Sequence, residues 1–146
     1  MLRARCFLLV CVLVLSCGGD PSVPGDSILL VEYVAAGGIA PTFRKMTIDK
    51  KGLARKVDQT NETIDTLSLA SSELDLLDVL LKPFASFDSE YGQVNPDGIG
   101  ISITAWPNGA RTTVSILGFP YDAIPLKLNQ LMTMLGQVYS RFDGGV

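Results

Sequence analysis

Three cysteines (Cys6, Cys11 and Cys17) and fifteen acidic side chains are the main ligands and nucleophiles this 146-residue chain offers, because it contains no histidine. Without imidazole there is no Ser-His-Asp or Cys-His machinery and no His-based zinc site. What remains is chemistry by carboxylate, hydroxyl or lysine. Ser71-Ser72 lacks a nucleophile elbow, and no lysine follows a serine at Ser-x-x-Lys spacing. Asp75 and Asp78 share a helical pattern without the alternating oxygen ligands of a calcium loop, and Asn95-Pro96-Asp97-Gly98 reads as a turn. No two carboxylates fall on facing strands as a glycoside hydrolase requires. The chain is therefore expected to be no enzyme, with no catalytic residue, no metal site and no cofactor.

Binding chemistry has better candidates. Arg44, Lys45, Lys50, Lys51, Arg55 and Lys56 place six cations within thirteen positions, with only Asp49 against them. On a hairpin they form a positive ribbon able to dock on an anionic membrane or cell-wall component. The alternative is a solvated strand face whose lysines protect a sheet edge. From Asp58 to Asp97 the balance reverses, with nine acidic residues against Lys82, so the two regions can neutralise each other. Trp106 stands out of phase with the apolar residues before it, which makes it either a contact residue or cover for the rim of the sheet.

These residues must be positioned by a chain whose first part is an address. Arg3 and Arg5 precede a ten-residue apolar run from Cys6 to Leu15, half the length of a spanning helix, so residues 1–16 read as a secretory signal. Val14-Leu15-Ser16-Cys17 resembles the bacterial lipobox, which implies acylation of Cys17 and anchoring without a transmembrane helix. The alternative is an ordinary signal peptide with Cys17 a stray thiol. Gly18, where an aspartate would favour inner-membrane retention, leans the expected location toward the outer membrane of a Gram-negative envelope. Removal of Arg3 and Arg5 from the 12 basic residues leaves 10 against 15 acidic ones, a net charge of −5 that argues against nucleic acid as a partner. The mature body then has no cysteine except the blocked Cys17, hence no disulfide.

Residues 17–26 have the glycine and proline content of a tether, and residues 27–142 form one α+β domain, with 143–146 a disordered tail. Ile28–Val34, Phe43–Asp49 and Leu53–Asp58 read as strands, the last two joined by the turn Asp49-Lys50-Lys51-Gly52. Residues 59–69 are a polar loop with room for a short edge strand. Ser71 or Ser72 caps a helix whose stripe is Leu74, Leu77, Leu80, Leu81 and Phe84, stopping near Pro83. Gly98–Trp106 and Arg111–Leu117 make a second hairpin around Pro107-Asn108-Gly109, and Pro125 opens a last amphipathic helix. The order β-β-β-α-β-β-α predicts an antiparallel sheet of four to five strands with both helices packed on one face.

Val34-Ala35-Ala36-Gly37-Gly38-Ile39-Ala40-Pro41, followed by a hairpin, a Leu-rich helix ending in Phe, another hairpin and a Leu-rich final helix, resembles the emfourin family of protealysin inhibitors over about residues 28–138. That resemblance implies an inhibitor of a secreted or periplasmic thermolysin-like metalloprotease, with Gly37, Gly38, Ile39 and Ala40 facing the protease. The simpler account of Gly37-Gly38 is that it turns the strand. Two functions are thus expected in order: a membrane-anchored bacterial envelope lipoprotein with a protein-binding domain that inhibits a metalloprotease, or a structural or envelope-homeostasis lipoprotein whose basic hairpin holds an anionic component.

Overall fold

The computed structural model describes residues 29–38, 42–94, 97–118 and 124–144. Seven strands form one sheet: β1 Leu29–Gly37, β2 Thr42–Asp49, β3 Leu53–Val57, β4 Thr63–Ser68, β5 Glu90–Gly92, β6 Ile99–Ala105 and β7 Thr112–Leu117. Helix α1 is Ser71–Leu81 and helix α2 is Leu126–Phe142. The spatial order is β4-β3-β2-β1-β6-β7-β5, antiparallel at every pair except β5 with β7.

Register explains why one sheet face is the core. Tyr33 of β1 lies opposite Met46 and Ile103, Val31 opposite Ile48 and Ala105, and Ile103 opposite Val114. Because side chains alternate with a period of two, these residues all point one way. They form a single buried cluster with Leu77, Leu80 and Leu81 of α1 and Leu128, Leu131, Leu135 and Val138 of α2. Both helices therefore cover that face, as the amphipathic stripes predict. The other phase carries Glu32, Lys45, Thr47, Ser102, Thr104, Thr113 and Ser115, the polar pattern of an antiparallel sheet with one open side. The Thr104 and Thr113 hydroxyls bond each other at 2.9 Å there.

The expected count of four to five strands and the order β-β-β-α-β-β-α are both corrected by β4 and β5. Strand β4 is an outer strand, exposed along nearly all its length, so it lacks the apolar alternation that marks half-buried strands. Strand β5 has three residues, too few for any period, and is held by parallel pairing of Glu90, Tyr91 and Gly92 with Ser115, Ile116 and Leu117. The expected cap of α1 also shifts. Ala70 occupies the N-cap, and its N–H donates to the Glu73 carboxylate at 2.7 Å, a reciprocal bond from the third helical residue. Phe84 leaves the helical stripe for a 3-10 turn, Phe84–Ser86, that follows Pro83 and leads to the opposite edge of the sheet.

Candidate functional site

Gly37-Gly38 and Trp106 fall at opposite ends of the central strands, Lys50 and Lys51 at the Trp106 end, and Arg44, Lys45, Arg55 and Lys56 along β2 and β3 between them. Gly37 ends β1, paired with Thr42 on one side and Ile99 on the other. Its φ is +110°, and a Cβ there would sit 2.7 Å from the Gly98 carbonyl oxygen. Gly38 has φ +91°, and its N–H donates to that same oxygen at 3.1 Å. The fold itself thus requires glycine at 37. Replacing Gly37 by Ala is expected to lower stability by about 2–3 kcal/mol through left-handed strain and the carbonyl contact. Urea denaturation checks this, and an unchanged midpoint would contradict it.

Three strand spacings away along the same end, about 14 Å, β5 ends at Gly92, with φ +85° and a Cβ position only 2.5 Å from the Leu117 carbonyl oxygen. Close backbone packing at Gly37 and Gly92 braces the ends of β1 and β5. Beside them Val94 is 77% exposed and Ile99 is 44% exposed. Two large apolar side chains are thus left in solvent at the braced end of the sheet. Ile39 and Ala40, expected to face a protease, lie outside the described residues, as do Cys17 and the signal and tether segments.

The six basic residues do not form one ribbon. Alternation sends Arg44 and Lys56 toward the helices, where both lie over the Tyr139 ring of α2, at 5.7 and 5.3 Å from its centroid. Lys56 also bonds the Asp143 carboxylate at 2.5 Å, and chiefly this hydrogen bond raises the ammonium above its ordinary pKa. Asp143, the first residue of the expected tail, is tied to the sheet by this contact. Lys45 points to the open side, 3.2 Å from Glu32 and 2.7 Å from the Asn61 side-chain oxygen. Arg55 reaches the buried Asp49 carboxylate at 3.3 Å. Among the described residues Lys50 and Lys51, at the tip of the β2–β3 turn, show neither a side-chain counter-ion nor a ring contact, and Arg44 has the Tyr139 ring but no counter-ion.

Two carboxylates organise this region: Asp49, placed by the sequence at the start of the β2–β3 turn, and Asp58, to which the sequence assigned no role. Asp49 accepts the N–H groups of Lys51 and Leu53 at 2.9 and 3.0 Å, fixing the β2–β3 turn. Asp58 accepts from the Thr60 hydroxyl and from the N–H groups of Thr60 and Glu62, and these bonds, the Thr60 hydroxyl first, hold its carboxyl below the usual aspartate range. An Asp two to four residues before the donors it satisfies was the available signal.

Trp106 follows β6 at the other end, its backbone N–H donating to the Leu30 carbonyl at 3.4 Å. Six residue steps along β1 lead from Val31, beside this point, to Gly37, a span of roughly 20 Å. The structure therefore parts Trp106 from Gly37-Gly38 and places it instead with Lys50. A cleft of about 390 Å³ runs between them, lined by Leu30, Lys50, Asp78, Leu81, Lys82, Trp106, Pro107 and Asn108. Among the described residues no three His, Cys, Asp or Glu side chains gather as a metal site, and no helix is long and apolar enough to cross a membrane. Compared with known proteins, the chain matches no family model and no curated protein.

Proposed function

We propose that this chain is a lipid-anchored bacterial envelope protein whose domain binds another protein through its glycine-rich end, acting as an inhibitor of a thermolysin-like metalloprotease. The observation that carries this reading is the braced end itself. Gly37-Gly38 is clamped against Gly98 with the exposed Ile99 paired beside it, and exposed Val94 follows β5 at the same end of the sheet. A surface of apolar residues on rigid turns enters a cleft with little ordering cost, which is how preorganised inhibitors gain affinity. The resemblance to emfourins supports the choice of target. Blocking a cleft needs no catalytic group on this chain.

Residues 18–146, added to a panel of thermolysin-like proteases, are expected to titrate at least one of them to inhibition at a one-to-one ratio. No inhibition across the panel would remove the reading. The anchor is a separate proposal with its own test. Cells fed labelled palmitate are expected to label the wild-type chain and not Cys17→Ala, and an unlabelled wild type would refute acylation.

The alternative role, attachment to an anionic envelope component through all six basic residues, is narrowed by their contacts. Four of the six are engaged by Tyr139, Glu32, Asp49 or Asp143, which leaves Lys50 and Lys51 to meet an external anion.

A further inference from the structure

The cleft at the Trp106 end has a chemistry of its own, independent of the proposed protease contact about 20 Å away. Trp106 is the sole tryptophan of the chain. It is presented from a short, bonded turn, in which Gly109 N–H donates to the Trp106 carbonyl and Ala110 N–H to that of Pro107, both at 3.2 Å. Asn108 sits at the tip with φ +56°. Across the cleft lie Asp78 of α1 and Lys82, which caps its C-terminal end; their charged atoms are 4.0 Å apart and their side chains mostly exposed, so both keep capacity for a further bond. The β2–β3 turn contributes Lys50.

We propose that this cleft binds an acidic saccharide. The negative face of the indole attracts the weakly positive C–H groups on one face of a sugar ring. Asp78 accepts hydrogen bonds from ring hydroxyls, and the Asn108 amide both donates and accepts. Lys50 and Lys82 meet the carboxylate of the sugar. A volume of 390 Å³ falls within the range of small-ligand clefts. The carboxylate of Asp78 decides between ligand classes. It disfavours any bare anion beside it, and a sugar acid offsets this with hydroxyl donors that hydrogen-bond the carboxylate, which an inorganic phosphate lacks. An acidic peptide offers fewer such hydroxyls and no flat ring face for the indole.

Because Trp106 is the only tryptophan, the emission of the full chain in detergent micelles reports on this cleft directly. Titration with trigalacturonic acid or N-acetylmuramic acid is expected to give a saturable change for at least one of them, with maltotriose, which lacks a carboxylate, at least tenfold weaker. The double variant Lys50→Gln/Lys82→Gln is expected to bind the acidic sugar at least tenfold more weakly at an unchanged melting temperature, since both side chains are exposed. By calorimetry, Trp106→Ala is expected to lose the binding. No saturable response to either acidic sugar at millimolar concentration overturns the proposal. So does equal binding of maltotriose, and so does tighter binding of hexaglutamate, which would assign the cleft to acidic peptides. Failure of protease inhibition leaves each of these outcomes unaffected.

Discussion

Phe84→Ala is expected to cost about 3–5 kcal/mol, the largest loss of any single substitution considered for this chain. Phe84 is fully buried. It stacks edge-on against Phe87, with ring centroids 6.0 Å apart at 76°, and belongs to the cluster that joins the sheet to both helices. Its position in the chain raises the stakes. The 3-10 turn it opens is the crossing from α1 to β5, the outermost strand on the β7 side. Truncation leaves a cavity where the chain redirects, and the neighbouring helix end cannot collapse into it without moving Pro83 and Leu81. A domain of this size holds about 5–15 kcal/mol in total, so the variant becomes marginal. Equilibrium denaturation measures this, and a loss below about 1 kcal/mol would show that the site repacks.

Asp49→Ala is expected to cost about 2–4 kcal/mol, through lost hydrogen bonds and charge pairing. Its side chain is 2% exposed, and it satisfies two backbone N–H groups and the Arg55 guanidinium at once. Alanine leaves the Lys51 and Leu53 N–H groups without that acceptor and Arg55 without its partner. Arg55 is 25% exposed, so it regains water, which keeps the loss below that of a fully buried pair. Asp49→Asn retains an acceptor oxygen and is expected to lose less, about 1–2 kcal/mol. Chemical denaturation of the two variants separates turn bonding from charge pairing; equal losses would show that the charge, rather than the acceptor, holds the turn.

These two residues also show how far the sequence could be read. Five strands and both helices followed from periodicity, since Ile101-Ser102-Ile103-Thr104 and the Leu repeats of α1 and α2 carry one apolar face each. Strand β4 was legible only as room for a short edge strand within residues 59–69, and β5 escaped, because an exposed outer strand and a three-residue parallel pairing have no such face. Phe84 fitted the helical spacing but belongs to the turn after Pro83, where proline had ended the helix and the next residue was still core. The site was less legible. Spacing grouped six cations as one ribbon, yet strand alternation distributes them over two faces and pairs most of them locally. Trp106 and Lys50 lie 56 positions apart and meet only because β1 and β2 pair and Trp106 bonds back to Leu30. No local pattern encodes that meeting. Gly37-Gly38 was legible as a turn, and its close contact with Gly98 depends on the β1–β6 pairing between segments some sixty residues apart.

The proposal that the glycine-rich end binds protein is tested most directly by titrating a susceptible thermolysin-like protease with wild type, Ile39→Asp, Val94→Asp and Trp106→Ala. Val94 is 77% exposed, so its variant is expected to keep the wild-type melting temperature. The account predicts one-to-one inhibition by wild type and Trp106→Ala, and at least tenfold weaker inhibition by Ile39→Asp and Val94→Asp. Retained inhibition in both glycine-end variants with its loss in Trp106→Ala would contradict it.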